Sequence, residues 1–334
     1  MFVTSRREFL AQAVAAAGAF TSLERAPTGA SKPKALIAIT LDLEMSAQYP
    51  RRDIQEWNYE KGNLDDATKK YAVQAARVAK ERGGLIHFFC VGRVLEQASV
   101  DWIQEIAAGG HPIGNHTYDH VYVKATKPEE TQFRFQRAPW LIEGLTTREI
   151  IERNIRMTSA ALKARLGFPP NGFRTPGGFS NGIEDRPDIQ QLLLDLGFTW
   201  VSSKYPTHSA GIPKEEPTSN VYESIVKAQQ SAQPFLYTTG LVEVPMSPIS
   251  DVNAFRSHYW KLEYFLKAIR LAVEWAIATG GVFDFLAHPS CLAVEDPGFE
   301  SIKLICDMVK DSSDNAAIVG LDAIAEAKRM QEEG

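Results

Sequence analysis

The chain has 334 residues, of which 44% are hydrophobic and 23% are charged, so it is long enough for one large globular domain and is neither disordered nor fibrous in composition. Its formal net charge of −5 leaves no basic surface for a phosphate backbone, which excludes nucleic acid as an expected partner. Its three cysteines are too few for a disulfide framework and form no Cys-x-x-Cys pair that could bind zinc.

The N-terminal segment, residues 1–30, contains the parts of an export signal. Arg6-Arg7 precedes a short, Ala-rich apolar run from Ala11 to Phe20, and small residues follow that run. The paired arginines indicate export by the twin-arginine machinery, and the apolar run is too short to span a bilayer. We therefore expect a mature protein of residues 31–334 that is periplasmic or secreted and has no stable membrane span. The alternative is an amphipathic first helix.

Apolar runs that predict strands alternate with helical patterns along the rest of the chain. The predicted strands begin near Leu36, Gly84, Pro112, Gly172, Thr199, Leu241 and Val282. The predicted helices cover residues 65–82, 97–108, 149–166, 188–196, 255–279, 299–310 and 321–332. This alternation predicts a single α/β domain with a parallel sheet. An irregular (β/α)7-type barrel is expected because its polar strand ends would converge on one site.

Two long connections, residues 124–147 and 205–239, contain no predicted element. Connections of this length in a compact domain usually have a function. Closure over a substrate and assembly with another chain are the two roles considered for them, and residues 124–147 are the candidate for a substrate-covering loop.

Side chains that bind metals or transfer protons stand at the ends of four predicted strands. They are Asp42, Glu44, His116, His120, Arg174 and His288. Two imidazoles four residues apart lie on one side of a helical turn, and a carboxylate from elsewhere would complete a three-ligand metal site with an open position. The spacing alone is equally compatible with histidines that pack in the core or lie on the surface.

Taken in chain order, these segments resemble the motifs of the polysaccharide deacetylase family, which includes the nodulation-type chitooligosaccharide deacetylases and their relatives in carbohydrate esterase family 4. Thr40–Glu44 resembles the first motif, with its catalytic-base aspartate and acidic metal ligand. His116–His120 is similar to the His-Ser/Thr-x-x-His motif, and Arg174–Gly178 to the Arg-x-Pro-x-Gly motif. Leu286–His288 is similar to the late Leu-x-His motif. The resemblance implies a catalytic domain over residues 31–334.

The resemblance also implies a divalent metal ion held by Glu44, His116 and His120. One carboxylate with two imidazoles suits zinc, which is the expected ion, and also cobalt, nickel, manganese or iron. Leu43 separates Asp42 from Glu44 where the usual motif has two adjacent aspartates. The ligand role goes to Glu44 and the base role to Asp42, and the reverse assignment stays open at this point.

In the catalytic roles that the resemblance implies, Arg174 grips the carboxylate of Asp42 and His288 protonates the leaving nitrogen. The family's fourth motif, an Asp and a Trp that orient the catalytic histidine, cannot be identified in this sequence. The segment Trp200–Ser203 occupies the corresponding place in chain order. Glu243 and Asp284, on neighbouring predicted strands, are the candidates for orienting His288.

The expected function is that of a metal-dependent hydrolase that removes acetyl groups from an N- or O-acetylated polysaccharide or oligosaccharide. One alternative is a hydrolase of another linear or cyclic amide on the same scaffold. The other alternative is a carbohydrate-binding protein without catalytic activity, although such a protein has no chemical need for both a base and an acid.

Overall fold

The structure is a computed structural model that describes residues 33–53 and 61–333. The predicted export signal over residues 1–30 lies outside the described residues. Among the helices that are described, none combines the length and the apolar character that a membrane crossing requires.

Parallel strands and helices alternate through the described part of the chain, as the sequence predicts. The strands are β1 Ala35–Leu43, β2 His87–Cys90, β3 Ile113–Asn115, β4 Phe173–Phe179, β5 Trp200–Lys204, β6 Phe235–Leu236, β7 Val242–Glu243, β8 Val282–Ala287 and β9 Ala316–Ile318. The α-helices are α1 Asp66–Glu81, α2 Asp101–Ala108, α3 Phe133–Arg137, α4 Thr147–Leu166, α5 Pro187–Asp195, α6 Ser219–Gln229, α7 Leu262–Thr279, α8 Pro289–Glu295, α9 Glu300–Asp311 and α10 Leu321–Glu333. Short 3-10 helices cover Gly92–Glu96, Pro128–Glu130 and Pro139–Leu141, and a π-helix covers Val252–Ser257.

The strands form one sheet in the order β6-β7-β5-β4-β3-β2-β1-β8, and β9 pairs with the start of β1. The main pairs are parallel, and only the short β6 runs antiparallel to β7. The segment after β7 reaches β8, where the amide of Ser247 donates to the carbonyl of Asp284 at 3.1 Å and Ser250 bridges to Leu286. The sheet thereby curves into the irregular barrel that the sequence predicts, and this prediction is confirmed.

The β1 strand is apolar on both faces, as expected for a parallel strand covered by helices. All but one of its residues are buried, and it pairs with β2, β8 and β9. Asp65 caps the start of the next helix, α1, because its carboxylate accepts a 2.7 Å hydrogen bond from the amide of Thr68. The buried alanines of α1 pack into the main core, so the carboxyl end of β1 opens onto the end of the barrel where catalytic groups usually lie.

Three of the sequence expectations are wrong in detail, and the first concerns residues 124–147, which contain α3 and two 3-10 helices. Residues 205–239 are not irregular throughout, since α6 buries Val221, Tyr222 and Ile225 and β6 follows it. These apolar positions recur at helical spacing, but the polar residues around them conceal the pattern. The predicted helix over residues 255–279 begins only at Leu262, because the π-helix Val252–Ser257 and a turn precede it.

The approach of β4 to β5 requires glycine at position 172. Gly172 has a φ of 78°, and a Cβ atom added there would lie 1.8 Å from a ring carbon of Trp200. Gly167, at the end of α4, has a φ of 88° and no atom within 4 Å of an added Cβ. The two glycines therefore separate backbone strain from a steric clash.

We expect Gly167→Ala to lower the free energy of unfolding by about 1–2 kcal/mol through the left-handed backbone alone. Gly172→Ala should cost about 1–3 kcal/mol more, because the Trp200 ring must also move. Urea unfolding of the two variants measures both changes. Equal losses would contradict the close packing of the two strands.

Candidate active site

The carboxyl ends of β1, β4 and β8 surround a pocket of about 390 Å³. Its lining includes five of the predicted site residues, namely Asp42, Glu44, His116, His120 and His288. Arg174, the sixth, lies fully buried behind Asp42. A larger cleft of about 660 Å³, beside Gly172 and Trp200 at the opposite strand ends, contains none of them.

Glu44, His116 and His120 form a cluster that can hold a metal ion. Their ligand atoms all lie within 4.8 Å of one another. The Oε2 atom of Glu44 is 2.8 Å from Nε2 of His120 and 3.8 Å from Nε2 of His116. Within the described residues, this buried Oε2 atom has no hydrogen-bond partner. Atoms bound to one zinc ion at about 2.0–2.2 Å lie roughly 3–3.5 Å apart, so these donors fit a divalent cation.

The protonation states also suit a metal site. Burial raises the pKa of Glu44, but His120 and Lys61 outweigh it and hold that pKa well below the usual value, so the carboxylate is charged. Burial lowers the pKa of His116, and it lowers the pKa of His120 to about 4 despite the nearby Glu44. Both imidazoles are therefore neutral at pH 7, which is the form that binds metals.

The two histidines are brought together by a loop and not by the helical turn that the spacing suggested. Thr117 and His120 have φ angles of 59° and 58°, in the left-handed region. The side chain of Asn115 accepts a 2.8 Å hydrogen bond from the amide of Thr117 and so fixes the start of the loop. Nδ1 of His116 lies 2.9 Å from the carbonyl oxygen of Arg174, which leaves its Nε2 free to face the pocket. The rings meet edge to face with centroids 5.1 Å apart.

Arg174 connects Asp42 to the interior of the barrel. Its Nη1 donates to Oδ1 of Asp42 at 3.1 Å and to Oγ1 of Thr40 at 2.7 Å. Its Nη2 donates to Oδ2 of Asp284 at 2.5 Å, and the guanidinium lies over the ring of Phe89. Burial raises the pKa of Asp284 to about 6, although Arg174 opposes this change. Arg174 thus binds the Oδ1 atom of Asp42 on the interior side, and the Oδ2 atom of Asp42 lies 3.6 Å from Nε2 of His116.

His288 is oriented by Asp251, and the sequence expectation that Glu243 or Asp284 has this role is wrong. Nδ1 of His288 lies 3.0 Å from Oδ1 of Asp251, and the amide of His288 donates to Oδ2 of the same carboxylate at 2.8 Å. Burial lowers the pKa of His288, but the charge and hydrogen bonds of Asp251, with those of Glu44, outweigh it and raise the pKa to about 10. The imidazole is therefore protonated at neutral pH in this arrangement.

The two rejected carboxylates have other partners. Glu243 accepts hydrogen bonds from the amides of Ser203 and Lys204, both at 2.7 Å, and from the hydroxyl of Tyr237. Asp284 binds Arg174. Sequence reasoning missed Asp251 because it lies in an irregular segment after β7 and belongs to no recognisable motif. The only signal for it was an acidic residue downstream of a strand whose carboxyl end faces the site.

Two residues outside the predicted set also matter for the description of the site. Trp200, in the place of the family's fourth motif, packs against His87 and Phe89 in the core and does not line the pocket. Lys61, which no motif contains, is buried and forms an ion pair with Oε1 of Glu44. This pair leaves Oε2 of Glu44 directed at the histidines.

Residues 63–200 match the family model described as polysaccharide deacetylase. The resemblance to that family is confirmed. The matched segment contains the histidine loop and Arg174, whereas β1 and β8 lie outside it. No curated protein sequence matches the chain.

Solved structures share the fold. A candidate polysaccharide deacetylase from Mycobacterium smegmatis is 18% identical with a TM-score of 0.60, over 92% of this chain and 95% of that one. A probable polysaccharide deacetylase from Pseudomonas aeruginosa PAO1 is 13% identical with a TM-score of 0.57, over 87% and 89% of the two chains. The Puue allantoinase is 15% identical with a TM-score of 0.54, over 92% and 97%. At these identities the likeness shows the fold and not the reaction.

The buried ion pair predicts a large effect of Asp284 on stability. We expect Asp284→Ala to lower the free energy of unfolding by about 3–5 kcal/mol, because Arg174 loses one of two buried charged partners. Asp284→Asn keeps an acceptor oxygen and should lose less. Glu152→Ala, which removes an exposed pair with Arg156, should change stability by about 0.5 kcal/mol or less. Urea unfolding compares the three variants, and similar losses for Asp284→Ala and Glu152→Ala would contradict the network.

The ligand cluster predicts zinc binding by the purified protein. We expect His120→Ala to weaken zinc binding more than about 100-fold, since loss of an outer-shell partner alone costs about 10–100-fold. His208→Ala, which removes a histidine outside the pocket, should bind zinc as the wild type does. Isothermal titration of metal-free protein with zinc measures this directly, and equal affinities for the two variants would exclude His120 as a ligand.

Proposed function

We propose that the chain is a metal-dependent hydrolase that removes acetyl groups from an N- or O-acetylated polysaccharide or oligosaccharide. The observation that carries the proposal is the meeting, in one pocket, of a held carboxylate, a held imidazole and a three-donor metal cluster. Hydrolysis of an acetamide needs a base for the water, polarisation of the carbonyl and an acid for the leaving amine, and the pocket has one group for each task.

The metal site in this proposal consists of Glu44, His116 and His120. A divalent ion bound there would act as a Lewis acid towards the acyl carbonyl and would lower the pKa of water in the pocket. Zinc is the expected ion, and cobalt, nickel, manganese or iron are alternatives.

The proton transfers are assigned to Asp42 and His288. Asp42 accepts the proton of the attacking water at its Oδ2 atom, because Arg174 holds the Oδ1 atom of the same carboxylate. His288 carries a proton on Nε2, which faces the pocket while Asp251 holds Nδ1, and it donates that proton to the departing nitrogen or oxygen. The side chains of Met246 and Leu286 give the pocket an apolar wall against which an acetyl methyl group can lie.

We also propose that the enzyme acts in the periplasm or outside the cell after export by the twin-arginine machinery. The support is the sequence of residues 1–30, with its paired arginines and short apolar run. An acetylated glycan of an envelope or of the surroundings is a substrate that such a location offers.

The proposal predicts loss of turnover when the base is removed. We expect Asp42→Asn to lower acetate release from acetylated oligosaccharides by about 100- to 10,000-fold while zinc remains bound. Asp311→Asn, a change at an exposed carboxylate at the end of α9, should retain the wild-type rate. The assay is acetate release from a panel of N- and O-acetylated oligosaccharides, with linear and cyclic amides as further substrates. Turnover of the amides alone would replace deacetylation by the alternative hydrolase, and undiminished turnover by Asp42→Asn would refute the mechanism.

A further inference from the structure

The π-helix Val252–Ser257 forms part of the wall of the pocket. Such helices are rare and occur often at functional sites. Asp251, directly before it, orients His288, while Ala254 and Phe255 are buried in the core. The Phe255 ring meets that of Phe265 edge to face at 4.9 Å. The segment is therefore anchored on one side, and its other side contributes Val252 and Arg256 to the lining of the pocket.

Arg256 is a basic side chain of the pocket lining for which the described residues provide no acidic partner. Its side chain is half-buried and lines the pocket, yet within the described residues its guanidinium has no hydrogen bond or ion pair.

The carboxylates of the site are already engaged. Asp42 is held by Arg174, Glu44 by Lys61, and Asp251 by His288. None of these interactions involves Arg256, which lines the same pocket. A half-buried guanidinium beside a 390 Å³ pocket is costly to leave unpaired, and a planar oxyanion matches its fork of donors.

We propose that Arg256 binds a carboxylate of the substrate and makes the enzyme selective for acetylated sugars that carry an acid group near the scissile acetyl. The inference rests on the proposed deacetylase function and adds the substrate class to it. Arg256 is a specificity residue in this assignment, since the base, the acid and the metal ligands are other residues. Thr175, Gly177 and Gly178, which also line the pocket, carry no charge that could compete for the acid group.

The first experiment measures turnover of a matched substrate pair with zinc-loaded protein. One substrate is an N-acetylated disaccharide that contains a uronic acid, and the other is the same disaccharide with its carboxyl reduced to an alcohol. We expect the wild type to have a kcat/KM roughly 10- to 100-fold higher for the acid, and Arg256→Gln to lose this ratio mainly through KM. Arg256→Lys should retain an intermediate ratio.

The control is Arg270→Gln, a change at an exposed arginine of α7, which should keep the wild-type ratio. Equal efficiencies of the wild type on both substrates would overturn the inference, as would an unchanged ratio in Arg256→Gln.

The second experiment does not depend on turnover. Isothermal titration with free glucuronate measures binding to wild type, Arg256→Gln, Arg256→Lys and Arg270→Gln, after circular dichroism has shown that each is folded. We expect binding to weaken at least tenfold in Arg256→Gln and to be unchanged in Arg270→Gln. No binding by the wild type, or equal binding by both glutamine variants, would overturn the inference. Glucuronate binding that depends on Arg256, without acetate release from any acetylated sugar, would support the anion site and refute the deacetylase function.

Discussion

The buried guanidinium of Arg174 is the interaction on which the rest of the site depends. It extends from β4 to Asp42 on β1 and to Asp284 on β8, so one charge joins three strands of the barrel. Such a group is expensive to remove from water and is tolerated only when its donors are satisfied, as they are here with Thr40 and Ser202 as further partners. The same contacts that close the barrel also set the direction of the proposed base.

A second pairing of the same kind holds the proposed acid. The carboxylate of Asp251 accepts hydrogen bonds from both the ring Nδ1 and the backbone amide of His288, so the position and the orientation of the ring are set together. Arg174 holds a carboxylate and Asp251 holds an imidazole, and the metal cluster lies between these two pairs. Asp42 and His288 each have one atom fixed by a protein partner and another that faces the pocket. Fixing reactive groups in this way orients them before a substrate binds.

The pocket also shows how charge can indicate a substrate. Asp42, Glu44 and Asp251 each have a cationic or imidazole partner within the protein, so a further cation in the pocket indicates the charge of the substrate. Lys61 compensates Glu44, whereas Arg256 lines the same pocket without such a partner in the described residues. The protein would gain from a substrate that brings the missing negative charge, since that substrate repays the cost of keeping a half-buried guanidinium.

The sequence by itself determined the barrel and the set of candidate groups. Continuous apolar runs mark parallel strands, and the carboxyl ends of such strands meet at one end of a barrel, so Glu44 and the histidines after β3 could be expected to converge. Only the tertiary structure decided that Asp251, and not Glu243 or Asp284, faces His288. The three acids are equivalent in pattern, and 37 residues separate Asp251 from its partner. The tertiary structure also shows that the two histidines lie on a loop with positive φ angles and not on the expected helical turn. Hydrogen bonds to the side chain of Asn115 and to the carbonyl of Arg174 fix this loop, and the spacing of two histidines cannot specify such contacts.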